Sequence, residues 1–173
     1  TSGTRPALFL GDPLPRGARQ ASCAWFTAML NAKSNTSVWD RHVAGLCAKV
    51  VSSGAILPIQ PDGPVPSPAR KNMIYAQKGI TIRAPEASAL VDAVMDGKVH
   101  RDYVVVGGQQ YIITTVTESA YYGRCTSSAV ASGIILVKTR RALILATYAE
   151  PVVAAEAIPH VHAFAEELER MVG

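Results

Sequence analysis

The hydrophobic residues of three segments recur at intervals of three and four, which is the period of an amphipathic helix. The first helix is predicted to begin at Ser37, because serine caps helices well and Asp40 occupies the capping-box position after it. The other two segments run from Pro85 to Gly97 and from Val153 to Met171. Proline in the first turn of a helix loses no backbone hydrogen bond, so Pro85 supports the start of the second helix.

Apolar and polar residues alternate in the second half of the chain, which is the period of a β-strand. The segment from Tyr103 to Ile113 is divided by Gly107-Gly108 and predicts a hairpin, since glycine readily adopts the backbone conformation of a tight turn. A second hairpin is predicted to pair 134–138 with 143–148. Further strands are predicted at 55–59, 73–77 and 79–82 and within 120–132.

The order of these elements predicts the fold class. One helix, two or three strands, a second helix, about four antiparallel strands and a last helix form an α+β fold, with a central antiparallel sheet covered by helices on both faces. Residues 1–20 contain three glycines and three prolines, which interrupt helices and strands, so we expect an extended arm there. Five prolines within 58–68 predict a loop. A short helix is expected over 21–30. We therefore divide the chain into an N-terminal extension, 1–36, and a domain, 37–173.

Composition and charge exclude several classes of function. The 173 residues are 49% hydrophobic, enough for one domain with a core, and the net charge of +4 rests on only 17% charged residues. A dedicated duplex-DNA binder normally has a dense basic face, so no nucleic-acid partner is expected. No apolar run approaches the length of a membrane span. Residues 1–37 contain four basic residues and one acidic residue, and thus hold +3 of the net charge.

Candidate catalytic and metal-binding residues are scattered. The four histidines fall on different elements or on different sides of one helix, and the three cysteines form no C-x-x-C pair. The chain has neither a nucleophile elbow nor a phosphate-binding glycine loop. We expect no enzymatic activity, no metal and no cofactor.

Several short motifs of the domain occur in a known order. They are the hairpin Val104–Tyr111, the run Ser132–Thr139, the strand start Ala142–Ile144 and the run Tyr148–Pro151. With Ser37-Val38-Trp39 at the first helix, these motifs resemble the profilin family over 37–173. The resemblance implies a profilin-like fold, in which the N- and C-terminal helices cover one face of the sheet and a further helix covers the other. It also implies a cytoplasmic protein that binds monomeric actin, docks proline-rich segments, can bind anionic phosphoinositides and regulates actin assembly.

The resemblance places a proline-ligand groove between the first and last helices. Its members here are Trp39, His42, Tyr75, Phe164 and Leu168. A polyproline II segment is already extended, so it docks on flat aromatic faces with little loss of conformational entropy. His42 stands where the family usually has tyrosine, and Glu167 replaces a tyrosine or histidine. The alternative is that Trp39 and Leu168 are only core contacts between two helices.

The resemblance also implies an actin face and a lipid contact. The matching actin-face residues are Ile113, Thr115, Arg124, Thr126 and His162, and the basic cluster for anionic lipid is Lys138, Arg140 and Arg141. Gln110 and Thr115 stand where many members have basic residues. Because Pro159 would cost a backbone hydrogen bond inside a helix, the last helix is expected to begin near Pro159.

Two other functions stay open at this stage. One is a non-enzymatic structural subunit with a profilin-like fold and no actin binding, anchored among neighbouring subunits of a larger assembly by the N-terminal extension. The chain begins with Thr1, and its acid-poor leader resembles either the tail of an organellar targeting segment or a plain basic surface extension. In the first case the assembly would be organellar. The other is a small-ligand binding module on the same scaffold.

Overall fold

The computed structural model describes residues 32–48, 50–59 and 74–172, nearly all of which belong to the compact unit Asn35–Gly173. Within these ranges the chain forms, in order, helix α1 (Ala32–Leu46), strands β1 (Ser53–Pro58) and β2 (Ala76–Lys78), helix α2 (Ala84–Met95), strands β3 (Val104–Val106), β4 (Gln109–Val116), β5 (Ala120–Cys125), β6 (Ser132–Lys138) and β7 (Ala142–Ala149), and helix α3 (Ala154–Val172). The predicted arm over 1–20, the short helix over 21–30 and most of the proline-rich loop lie outside the described residues.

The seven strands of the described chain form one antiparallel sheet, in the order β2-β1-β7-β6-β5-β4-β3. Both predicted hairpins are present, since β3 pairs with β4 and β6 pairs with β7. The first hairpin turns at Gly107 and Gly108, whose φ angles of 58° and 77° belong to the left-handed region that glycine adopts without strain. A β-bulge lies between Ile113 and Thr115, opposite β5.

A separate hydrophobic core fills each face of the sheet. Helix α2 buries one apolar stripe on the first face, through Ala87, Leu90, Val91 and Val94. Helices α1 and α3 share the second face, where they bury Val43, Leu46, Ala157, Val161, Ala165 and Leu168. Each fully buried leucine or valine contributes about 1.5–3 kcal/mol relative to exposure. The α+β class and the distribution of helices over the two faces are therefore confirmed.

Two predictions in the first half of the domain are wrong, the start of the first helix and the strand over 79–82. Helix α1 begins at Ala32, five residues before Ser37, because no glycine or proline stops the helix from extending to that point. The segment 79–82 is not a strand. Gly79 turns the chain with a φ of 75°, and the backbone N–H of Ile82 donates to the Gln77 side chain at 2.8 Å instead of to a neighbouring strand.

The last helix begins where its apolar period predicts, and not at the proline inside it. Helix α3 starts at Ala154 and continues through Pro159, so the expected start near Pro159 is wrong. The ring deletes one backbone hydrogen bond, but Ala157 and Val161 on either side of it are fully buried against the sheet. Tertiary packing thus outweighs the local cost of the proline.

Candidate functional site

Two aromatic rings meet beside the sheet edge formed by β1 and β2. Trp39 of α1 and Tyr75, just before β2, stack with ring centroids 4.7 Å apart and planes only 6° from parallel. The backbone N–H of Tyr75 donates to the carbonyl of Ile56 in β1 at 2.9 Å, which holds that ring against the sheet edge. Trp39 lies one helical turn before Val43, which is buried on the second face. Each ring is therefore positioned by a different element.

The stacked pair forms part of an open groove of about 180 Å³. Its lining residues are Trp39, Tyr75, Thr139, Arg140, Arg141, Ala142, Leu168 and Glu169. Three of the five residues predicted for the proline-ligand groove thus line it together. His42 contacts Trp39 edge-on, with ring centroids 6.2 Å apart, and Phe164 packs partly buried against the core of the second face. Neither of those two residues lines the groove.

The rim of the groove is charged. Arg140 approaches Glu169 with its Nε at 3.5 Å from the carboxylate, but these side chains are 87% and 44% exposed, so the ion pair is weak. Burial raises the pKa of Tyr75, and the positive charge of Arg141 offsets part of that rise. The sequence assigned both arginines to a lipid contact with Lys138. Their place in the groove was missed because only the folded chain brings the β6–β7 turn beside α1 and α3.

The residues predicted for the actin face do not all lie together. Thr115 pairs with Tyr122 across β4 and β5 and so shares the second face of the sheet. The hydroxyl of Tyr122 is hydrogen-bonded to Nε2 of His162 at 2.7 Å, which links β5 to α3. Arg124 is exposed on the same face of β5, opposite Ile112. Thr126 is exposed beyond the end of β5 and donates to the carbonyl of Gln110 at 3.2 Å.

Ile113 is not part of this surface, and its placement there is wrong. Only 6% of its surface is exposed, and the side chain packs in the core beneath α2. Neighbouring residues of a strand point to opposite faces, so a shift of one position exchanges an exposed side chain for a buried one. Ile112, which is 41% exposed, occupies the surface instead. The alternation of β4 could have identified it, since Tyr111 and Ile113 share the buried face.

In the described ranges, no three His, Cys, Asp or Glu side chains are close enough together to hold a metal ion. No helix in those same ranges is long and apolar enough to cross a membrane.

Known proteins resemble this chain in sequence pattern and in fold. The profilin family model matches residues 37–172, whereas no curated protein matches the chain. Acanthamoeba castellanii profilin II is 20% identical with a TM-score of 0.62, over 78% of this chain and 99% of that one. Mouse profilin IIa, in complex with a double repeat from the FH1 domain of mDia1, is 13% identical with a TM-score of 0.58, over 78% and 99%. LokiProfilin1, in complex with rabbit actin, is 12% identical with a TM-score of 0.57, over 78% and 96%. The match of the family model over most of the chain, on the fold described above, shows that this chain belongs to the profilin family.

Proposed function

We propose that this protein is a non-enzymatic, cytoplasmic binding protein that docks proline-rich segments in its aromatic groove, binds monomeric actin and thereby regulates actin assembly. The observation that carries the proposal is the parallel stack of Trp39 and Tyr75 in an open groove. If Trp39 served only to pack two helices together, its side chain would be buried by its neighbours. Here it is only partly buried, and the ring beside it is 37% exposed.

The groove suits a stiff, extended ligand. A polyproline II helix presents flat pyrrolidine rings and loses little conformational entropy on docking. Trp39 and Tyr75 offer aromatic surface, while Ala142 and Leu168 line the groove but are buried and add little accessible surface. The related mouse profilin IIa forms a complex with a double repeat from the FH1 domain of mDia1, which supports a docked peptide segment as the ligand of this chain.

The groove is tested by calorimetric titration of the full chain with a decaproline peptide. We expect saturable one-to-one binding, weakened by about tenfold or more in Trp39→Ala, because a buried aromatic anchor commonly supplies about 2 kcal/mol or more. Tyr103→Ala is the matched control, since this ring is 61% exposed and does not line the groove. Equal affinity of Trp39→Ala and the unmodified chain would contradict the proposal.

The proposed actin surface is the second face of the sheet beyond the helices. It combines exposed Ile112 and Arg124 with the Tyr122–His162 pair at the edge of α3. The complex of LokiProfilin1 with rabbit actin supports actin as the partner. In a titration of monomeric actin, we expect Arg124→Glu to weaken binding by about tenfold and Arg101→Glu, an equal charge change on an exposed loop, to leave it unaltered.

The second candidate is a structural subunit without actin binding, held among neighbouring subunits of a larger assembly. The observation that favours it is that Ile113, a predicted actin-face residue, is buried, and that His162, another of them, uses a ring nitrogen in a hydrogen bond within the chain, to Tyr122. Failure of the folded full chain to bind actin at micromolar concentration would select this candidate. Contact of Lys138, Arg140 and Arg141 with anionic phosphoinositides stays a prediction.

A further inference from the structure

The groove is lined partly by charged side chains, with which a purely apolar ligand would form no ion pair. Arg140 and Arg141 contribute two positive charges to its lining and Glu169 contributes one negative charge, which leaves one positive charge in excess. Proline side chains are uncharged, so a run of prolines gains nothing electrostatic from this rim. The charge pattern therefore points to an additional group on the ligand.

The two guanidinium groups are available to such a group. The ion pair with Glu169 involves Nε of Arg140 at 3.5 Å, and the Arg140 side chain remains 87% exposed. Among the described residues, Arg141 has no carboxylate within ion-pair distance. Its charge nevertheless acts inside the groove, because it partly offsets the rise that burial causes in the pKa of Tyr75. Arg141 thus lies beside the aromatic floor, and no residue that the structure describes accepts a hydrogen bond from its guanidinium group.

We propose that the groove selects proline-rich segments that carry an acidic residue next to the prolines, with Arg141 as the residue that recognises the carboxylate and Arg140 as its neighbour in the same rim. This inference rests on the proposed proline-binding function. A guanidinium binds a carboxylate through two parallel hydrogen bonds, so the contact fixes the position of the segment as well as attracting it. A concave groove with an aromatic floor fits an extended peptide better than the flat surface of a membrane.

The test compares two peptides on the full chain by calorimetry. One has ten prolines flanked by aspartate at each end, and the other has asparagine at the same two places. We expect the aspartate peptide to bind about two- to fivefold more tightly at about 50 mM salt, which is the range of an exposed ion pair. The preference should disappear at about 500 mM salt, since salt screens exposed charges.

Variants assign the preference to the rim. Arg141→Gln should bring the affinity ratio of the two peptides to about one, whereas Arg101→Gln, the same substitution on an exposed loop away from the groove, should keep the ratio of the unmodified chain. A preference that survives in the double variant Arg140→Gln with Arg141→Gln would overturn the assignment.

The outcomes separate this inference from the function on which it rests. If both peptides bind equally well at low salt, the groove function stands and the acidic preference is overturned. If neither peptide binds the folded chain, both proposals are overturned. If phosphatidylserine vesicles bind in an Arg141-dependent manner while aspartate adds nothing to peptide affinity, the arginines serve an anionic membrane and the inference is overturned.

Discussion

Single aromatic residues connect elements of this domain that the chain order keeps apart. The stack of Trp39 on Tyr75 joins α1 to the segment before β2, and such a pair contributes about 0.5–1.5 kcal/mol beyond the area that it buries. Tyr122 and His162 join β5 to α3 in the same way, through a hydrogen bond of 2.7 Å. A substitution at either pair is therefore expected to disturb both local stability and the proposed binding surface.

Tyr111 makes the stability of the domain depend on pH. It is 2% exposed and donates its phenolic hydrogen to Gln109 at 2.9 Å. Burial, and secondarily the nearby Cys125, raises the pKa of Tyr111 from 10.0 to about 12. The folded state holds this proton more tightly than the unfolded state, so the contribution is fully present below pH 10 and is lost as the pH rises through 12. We expect the free energy of unfolding in urea to fall by up to about 2 kcal/mol over this interval because of Tyr111.

The corresponding variant is Tyr111→Phe, which should flatten this part of the pH profile. Tyr103→Phe is the control, since Tyr103 is 61% exposed and the variant should retain the profile of the unmodified chain. Equal slopes for Tyr111→Phe and the unmodified chain between pH 10 and 12 would show that Tyr111 does not cause the decline.

Helix α3 contains a residue that is unfavourable inside a helix. Pro159 lies well inside the helix, where its ring deletes the hydrogen bond to the carbonyl four residues earlier. The helix persists because its buried stripe completes the core of the second face, together with α1. His160 adds a link between the two helices through a contact of 3.1 Å between its Nε2 and the carbonyl of Leu46.

Replacing this proline should stabilise the protein. Since Pro159 is exposed, Pro159→Ala restores the backbone donor without opening a cavity, and we expect the free energy of unfolding in urea to rise by about 1–3 kcal/mol. Pro85→Ala is the control, because Pro85 lies in the first turn of α2 and deletes no helical hydrogen bond, so its effect should stay within about 0.5 kcal/mol. A loss of stability in Pro159→Ala would contradict this explanation.

The strands of the sheet differ in how well their backbone is shielded from solvent. Strands β1, β7 and β6 lie inside the sheet and are largely buried, whereas β2 and β3 are edge strands of three residues each. We expect amides of β7 to exchange with solvent at least about a hundredfold more slowly than those of β3, because local opening at a sheet edge breaks fewer contacts. Hydrogen exchange followed by mass spectrometry measures this directly, and equal protection of β3 and β7 would contradict it.

Much of this architecture could be predicted from local pattern. The hairpin at Gly107-Gly108 was identified because two glycines between alternating strands leave few other structures. Helix α2 was identified from its proline start and its apolar stripe. The start of α1 and the strand expected over 79–82 were wrong because local propensity marks element boundaries weakly, and packing or a single turn decides them.

The sequence alone determined the class of fold and the order of its elements, because periodicity and turn residues act over a few neighbouring positions. Its short motifs indicated the family by resemblance. The resemblance also placed Trp39, Tyr75 and Leu168 in one groove, but only the tertiary structure decided which other side chains share that site. It brought Arg141 beside Trp39 and Tyr75 through the pairing of β1 with β7, and it placed Ile112 rather than Ile113 on the surface through the register of β4. Such contacts join residues far apart in the chain, and they depend on strand order, register and helix packing, which no local pattern specifies.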